Sequence, residues 1–243
     1  MNIVRTLILA AVVALTPGAR AQSPTPALQL KVYNADANSF HVNSVLVTGR
    51  QDAVLIDAQF TRADAHRLVA DILASGKVLK GIYVSHGDPD YYFGLEVVRA
   101  AFPEARVFAS APTIAWIRNT VEKKLAFWGP KLGTNAPRAT IIPEPLPAEG
   151  LSVEGHRLKV IGLDGELPGR SFVWIPSIRA VVGGVNVFGA LHLWTADTQT
   201  RGQRAAWMRI LDRIETLQPD TVIPGHASPG APPTLGAVRY SRA

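Results

Sequence analysis

Apolar runs that suit β-strands alternate with amphipathic segments along the first half of the chain. Residues 40–49 and 52–60 are rich in β-branched residues and are joined through Gly-Arg-Gln, a pattern that predicts a β-hairpin. The next segment has an apolar stripe at helical spacing, with Thr61 as a candidate N-cap, Asp64 at the capping-box position and Gly76 as the stop. A helix is therefore expected between Thr61 and Gly76.

The alternation continues beyond this helix. Strands are predicted over residues 80–86 and 105–110, and helices over 92–101 and from 113 to about 126. Residues 127–138 are rich in glycine, proline and aromatic residues, so they predict an ordered loop or lid.

The second half repeats the order of hairpin, strands, helix and final strand. Its predicted elements are a hairpin over 151–163 that turns at Glu154-Gly155, strands over 171–176 and 180–185, a helix over 203–217 and a strand over 220–226. Two such halves predict an α/β fold, a four-layer αββα sandwich of two mixed β-sheets with outer helices.

The two ends of the chain differ from the middle. Residues 1–21 have a positive start, a short apolar core and the small-x-small sequence Ala19-Arg20-Ala21, which together predict a secretory signal peptide. Residues 22–29 are expected to be a flexible lead-in, residues 30–228 the folded domain, and residues 229–243 a loosely held tail. The mature chain is thus expected in a periplasm or outside the cell, with no membrane anchor after cleavage.

Charge and cysteine content narrow the chemistry. The formal net charge is +6, and cleavage of the leader, which contains two arginines and no acid, lowers it to +4. The basic residues form no block or stripe, which argues against a nucleic-acid partner and leaves a small molecule as the expected one. Because there is no cysteine, thiol nucleophiles and sulfur-ligated metals are excluded, and any metal must be held by nitrogen and oxygen.

The candidate chemistry lies in the turn after the predicted strand over 80–86. His86, Asp88 and Asp90 alternate there, and imidazole and carboxylate are sound ligands for a divalent metal. The alternative is a capping turn in which the two carboxylates serve only the following helix. Asp164 and His226 each follow another predicted strand, which adds two possible ligands at strand ends. Asp57, also at a strand end, is expected to be a structural acceptor that holds the turn.

The string SHGDPDYYFG, together with the later Val-Val-Gly-Gly and Pro-Gly-His, resembles the metallo-β-lactamase superfamily over residues 30–228. The family's turn reads H-x-H-x-D-H, often as HGHPDHYFG. The resemblance implies an αββα fold and a metal centre. It identifies His86 with the family's first histidine and Asp90 with its aspartate. Asp88 and Tyr91 stand where the family has its second and third histidines.

The resemblance extends to the remaining metal ligands of the family. Asp164 falls at or beside the next histidine, Val185 at the aspartate that bridges two metals, and His226 at the last histidine. The ligands His86, Asp88 and Asp164 would then remain for one divalent ion, Zn²⁺ or alternatively Mn²⁺ or Fe²⁺. Asp90 and His226 alone would remain for a second, because valine cannot coordinate.

The resemblance implies a hydrolase of a small ester, lactone or amide that uses a metal-activated water. Asp90 would act as general base and Tyr91 as a hydrogen-bond donor to the oxyanion, while Trp128, His192 and Trp194 would contact the substrate. The altered ligands leave a second possibility open, a degenerate member of the family that binds or scaffolds in the periplasm. The oligomeric state stays open.

Overall fold

The computed structural model describes residues 27–243. The predicted signal peptide and most of the predicted lead-in lie outside these residues. The strands are β1 Gln29–Asn34, β2 Asn43–Thr48, β3 Asp52–Ile56, β4 Val78–Val84, β5 Arg106–Ala109, β6 Glu144–Pro145, β7 Leu151–Val153, β8 His156–Ile161, β9 Phe172–Ile175, β10 Ala180–Val182, β11 Phe188–Gly189, β12 Thr221–Val222 and β13 His226–Ala227. The α-helices are α1 Arg62–Ser75, α2 Pro89–Tyr92, α3 Leu95–Ala101, α4 Ala111–Leu132, α5 Arg201–Thr216 and α6 Leu235–Arg242. Between residues 27 and 243, no helix has the length and apolar character needed to cross a membrane.

The strands form two large mixed sheets and one small pair. The first sheet has the order β1-β2-β3-β4-β5-β6, antiparallel from β1 to β3 and parallel from β3 to β6. The second has the order β12-β10-β9-β8-β7, in which β12 is parallel to β10 and the other pairs are antiparallel. Strands β11 and β13 pair in parallel. The two predicted hairpins, β2-β3 and β7-β8, are both confirmed.

Strand residues bury both faces of each large sheet. In β3, Val54 and Ile56 pack in one apolar cluster with Val173 and Ile175 of β9, which places this cluster between the sheets. Leu55, between the first two, belongs to the other cluster, which the outer helices share. Because successive side chains point to opposite faces of a strand, this division requires a helix layer outside each sheet. The predicted αββα sandwich is confirmed.

The first long helix begins and ends as its sequence predicts. Thr61 Oγ1 accepts a hydrogen bond from the backbone N–H of Asp64, at 3.1 Å. Gly76 ends the helix in the left-handed conformation with φ of 66°, which glycine adopts without strain.

Helix α4 is longer than predicted. It runs to Leu132, so the first half of the predicted loop over 127–138 is helical. Pro130 lies in its last turn, where a missing N–H removes only the bond to the carbonyl of residue 126. The ring of Trp128 packs edge-on against other aromatic rings and adds tertiary support to this turn.

The C-terminal residues are not loosely held, and that prediction is wrong. Thr234 caps helix α6, and Val238 on its inner face is fully buried. The Oγ of Ser241 accepts a hydrogen bond from the N–H of Phe188 at 2.8 Å, which fixes the helix to β11. The proline and glycine content of the tail predicted a flexible segment. The short helix has few apolar positions, so its sequence pattern did not indicate that it packs on the core.

Candidate functional site

The turn after β4 is fixed by a buried carboxylate that follows β3. The side chain of Asp57 accepts hydrogen bonds from the N–H of Ser85 at 2.7 Å and from its hydroxyl at 2.6 Å. The Ser85 oxygen in turn accepts from the N–H of Gly184, a residue that follows β10 in the other sheet. Burial raises the pKa of Asp57 to about 7. Its predicted role as a structural acceptor is confirmed.

Close backbone approach explains two glycines at this edge of the sheets. A Cβ atom on Gly94 would lie 2.0 Å from the carbonyl oxygen of Ala58, and one on Gly225 would lie 2.1 Å from that of Gly184. Both distances are far below van der Waals contact. Gly225 therefore lets the turn before β13 lie against the turn after β10, and its missing Cβ also leaves room for the Tyr91 hydroxyl, which would lie 2.9 Å from it.

His226 is buried and its ring nitrogens have different partners. Nδ1 lies 2.9 Å from the carbonyl oxygen of Phe40, which can only accept, so Nδ1 carries the hydrogen and Nε2 presents a lone pair. The hydroxyl of Tyr91 donates to that lone pair at 3.0 Å. Burial lowers the pKa of His226 to about 4, so the ring is neutral at neutral pH.

Asp90 lies beside this pair, with its Oδ2 3.3 Å from Nε2 of His226. Burial, with the nearby charge of Asp88, raises the pKa of Asp90 well above its ordinary value. Both effects disfavour the carboxylate form that a general base requires. The general-base role of Asp90 stays a prediction, and its burial works against it.

Asp88 is paired with a lysine that the sequence did not single out. Lys124, on α4, donates from Nζ to Asp88 Oδ1 at 2.6 Å and to the carbonyl oxygen of Gly87 at 2.8 Å. Asp88 Oδ2 lies 3.6 Å from Nδ1 of His86. Burial alone would raise the pKa of Asp88, but the charges of His86 and Lys124 lower it below its ordinary value, so the group is a carboxylate. Burial lowers the pKa of His86.

Asp164 does not join this cluster, which corrects the predicted ligand set. After β8 the chain turns at Gly162, which has φ of +103°, and carries Asp164 toward α5. Its carboxylate pairs there with Arg213 at 2.8 Å, and 73% of the side chain is exposed. A strand does end nearby, as expected, but the turn directs the side chain to α5 and solvent, where it pairs with Arg213.

The described residues do not form the metal centre that the family pattern implies. Across residues 27–243, no three His, Cys, Asp or Glu side chains converge so that they could hold a metal ion. The carboxylate of Asp88 is engaged by Lys124, and Nε2 of His226 by Tyr91. Val185 offers no ligand, and the side-chain nitrogen of neighbouring Asn186 donates to the carbonyl oxygen of Arg170.

A cleft of about 840 Å³ opens above these polar groups, and aromatic and aliphatic side chains form most of its lining. The three residues predicted to contact substrate, Trp128, His192 and Trp194, all line it. Trp128 packs edge-on against Phe40 and Phe60, with ring centres 5.5 and 5.2 Å apart. Asp88, Asp90, Lys124 and His226 form part of the lining, so polar groups and aromatic wall face one space. Substrate contact itself stays a prediction.

Arg170 anchors one wall of the cleft and was also missed. It is buried, pairs with Asp197 at 2.7 Å and lies over the ring of Trp207, 4.0 Å from its centre. It also donates to the carbonyl oxygen of Trp194 at 3.4 Å. The loop that contains Trp194 and Asp197 is thereby tied to the core. Its partners are distant in sequence, so the single sequence signal for this role is an arginine just before a buried strand.

Comparison with known proteins agrees with this fold. The model of the metallo-beta-lactamase superfamily matches residues 37–226, and the chain belongs to this superfamily, whose members generally bind divalent metal ions. Membership suggests either a metal-dependent hydrolase or a degenerate member. No curated protein matches the chain.

Solved structures share the fold at low sequence identity. The metallo-beta-lactamase from Pontibacter korlensis has a TM-score of 0.64 and 17% identity, covering 90% of this chain and 95% of that one. DIM-1 metallo-beta-lactamase exposed to ceftazidime has a TM-score of 0.60 and 18% identity, covering 90% and 97%. The family protein TTHA1429 from Thermus thermophilus has a TM-score of 0.60 and 22% identity, covering 90% and 79%. At these identities the likeness establishes the fold alone.

Proposed function

We propose that this chain is a small-molecule-binding member of the superfamily whose site works without the family's metal. The observation that carries the proposal is an aromatic-walled cleft of about 840 Å³ above polar groups that already pair with one another. Here a lysine and a tyrosine hydroxyl engage two of the atoms that the family pattern assigns to metal.

The cleft favours an uncharged, largely apolar ligand with one hydrogen-bonding group. Phe127 and Trp194, each more than half exposed, supply apolar contact area, and small-molecule sites are lined predominantly by such side chains. Asp90, whose pKa burial raises well above its ordinary value, adds a carboxyl group at the base of the cleft. An aryl or acyl ester, lactone or amide meets both requirements. The leader pattern of residues 1–21 supports a location in the periplasm or outside the cell.

A second candidate is a hydrolase with one Zn²⁺, Mn²⁺ or Fe²⁺. Two pairs of potential ligands favour it: His86 with Asp88 at 3.6 Å, and His226 with Asp90 at 3.3 Å. Both pairs lie at the same edge of the sheets. Metal binding would first require Lys124 to leave Asp88.

Metal analysis and ligand titration separate the two candidates. Protein purified without chelator is assayed for metal content and for hydrolysis of aryl esters, lactones and β-lactams. Chelator-treated protein is titrated with the same compounds by tryptophan fluorescence, since Trp116, Trp128 and Trp194 line the cleft. Saturable binding by the metal-free protein supports the first candidate, and its absence overturns it. One metal per chain, with hydrolysis that the chelator abolishes, establishes the second.

A further inference from the structure

We propose that the Lys124 ammonium is a built-in cation that keeps divalent metal ions out of this site. The inference deepens the proposed function and rests on it. Lys124 reaches from α4 to the turn after β4, where Nζ donates to Asp88 Oδ1 at 2.6 Å and to the carbonyl oxygen of Gly87 at 2.8 Å. The positive charge is thus supplied by the chain itself at a carboxylate that the family resemblance places among the metal ligands.

Helix α4 holds this lysine in place. Trp116, about two turns earlier in the same helix, packs directly on Gly87. A Cβ atom on Gly87 would lie only 2.3 Å from Cδ1 of Trp116. The ammonium lies 5.6 Å from the centre of the Trp116 ring, and the Lys124 side chain is only 17% exposed. Packing at two points of the helix therefore fixes the lysine against the turn.

Electrostatics then disfavours a metal ion. A dication bound to Asp88 would lie within a few ångströms of the ammonium, in a partly buried site where charge repulsion is weakly screened. It would also have to displace a short charge-assisted hydrogen bond. Both costs disappear when Lys124 is removed. The carboxylate of Asp88 would then be free 3.6 Å from the imidazole of His86, and one carboxylate with one imidazole suits Zn²⁺, Mn²⁺ or Fe²⁺ when water completes the coordination.

Metal affinity of variants tests the inference directly. Wild-type protein, Lys124→Met and the matched control Lys123→Met, at an exposed position of the same helix, are stripped with chelator, dialysed and titrated calorimetrically with Zn²⁺ and Mn²⁺. Lys124→Met is expected to bind one ion per chain roughly a hundredfold more tightly than the other two proteins. The double variant Asp88→Asn/Lys124→Met is expected to lose this gain.

Other outcomes overturn the inference. Equal metal affinity in wild type and Lys124→Met would show that the ammonium excludes nothing, and a gain that survives Asp88→Asn would place the metal elsewhere. If circular dichroism shows that Lys124→Met is unfolded, Lys124→Gln, which keeps a hydrogen-bond donor, takes its place under the same criteria. The proposed function fails separately, when metal-free wild type binds no ligand in the fluorescence titration.

Discussion

The hydroxyl of Tyr91 donates a hydrogen bond to Nε2 of His226 across 3.0 Å, joining the turn after β4 to strand β13. Tyr91 is fully buried, and the family resemblance places it where a third histidine is usual. The bond therefore links two positions of the family's ligand pattern without a metal. It connects residues 135 apart in sequence and joins the two halves of the fold.

Tyr91→Phe removes this bond and leaves the buried Nε2 of His226 without its hydroxyl donor. We expect it to lower the free energy of unfolding by about 1 to 2 kcal/mol. Urea denaturation measures the change. Tyr92→Phe is the matched control, because the neighbouring hydroxyl is buried without a hydrogen-bond partner, so its removal should leave stability unchanged or improved. Equal losses in both variants would contradict the prediction.

Asp57 should make stability fall as pH rises toward neutrality. Burial raises its pKa to about 7 from an ordinary value near 4, so between these values the folded state binds more protons than the unfolded state. Its stabilising contribution is complete below about pH 4 and is lost as pH rises through 7. One proton corresponds to about 1.4 kcal/mol per pH unit.

Asp57→Asn isolates this contribution. Asparagine tolerates the positive φ of 64° at this position and can still accept from the N–H of Ser85. Unfolding free energies of wild type and variant are measured by urea at several pH values from 4 to 8, and the difference between them is expected to change over that range in the variant's favour. His226 and Asp90 are present in both proteins, so their contributions cancel in the difference. A difference that does not depend on pH would therefore refute the raised pKa of Asp57.

Glu154 fixes the β2-β3 hairpin to the β7-β8 hairpin. Its carboxylate accepts from the backbone N–H groups of Arg50, Gln51 and Asp52 at 2.9, 2.5 and 3.0 Å, and these bonds lower its pKa to about 2. The contribution is present above pH 4.5 and is lost as pH falls toward 2.

Glu154→Gln should therefore destabilise the fold at neutral pH and narrow its gap from wild type in acid. Thermal melts at pH 7 and pH 3 check this. Glu149→Gln, at an exposed position of the preceding loop, should melt like wild type at both pH values. A gap that stays the same at pH 3 would show that the charge is not responsible.

Arg170→Met should release the loop that contains Trp194 and Asp197 from the core and should also lower the free energy of unfolding. Removing one partner of a buried ion pair costs about 3 kcal/mol, because Asp197 keeps an uncompensated charge. Arg170→Met/Asp197→Asn should recover part of that stability. Ligand affinity, read by tryptophan fluorescence, should drop in the single variant. Additive effects in the double-variant cycle would contradict a coupled pair.

The sequence was sufficient for the architecture because period-two alternation and turn residues are local signals. The runs around Val54 and Val173 bury alternate side chains on opposite faces, and the turn from His86 to Gly94 carries the family's spacing. The site was harder to predict because its decisive contacts are long-range. Lys124 meets Asp88 across 36 residues, and nothing in the pattern of α4 distinguishes it from its exposed neighbour Lys123.

Local signals gave wrong predictions where tertiary contacts or the conformation of one residue decide the structure. The segment from Phe127 to Leu132 has loop composition, yet tertiary contacts extend the helix through Pro130. Asp164 follows a strand as a ligand would, but the conformation of Gly162 decides its direction, and a glycine letter does not reveal its φ.

The aromatic rim of the cleft has a practical consequence. Phe127 and Trp194 keep 55% and 56% of their surface exposed, so a ligand can cover them. The cleft that they line exists only in the folded chain, because its lining residues are distant in sequence, so the unfolded chain does not bind that ligand. Mass action then stabilises the fold by about 2.7 kcal/mol at a ligand concentration a hundred times the dissociation constant. A rise in melting temperature can therefore identify the natural ligand in an unsorted metabolite library, before any reaction is known.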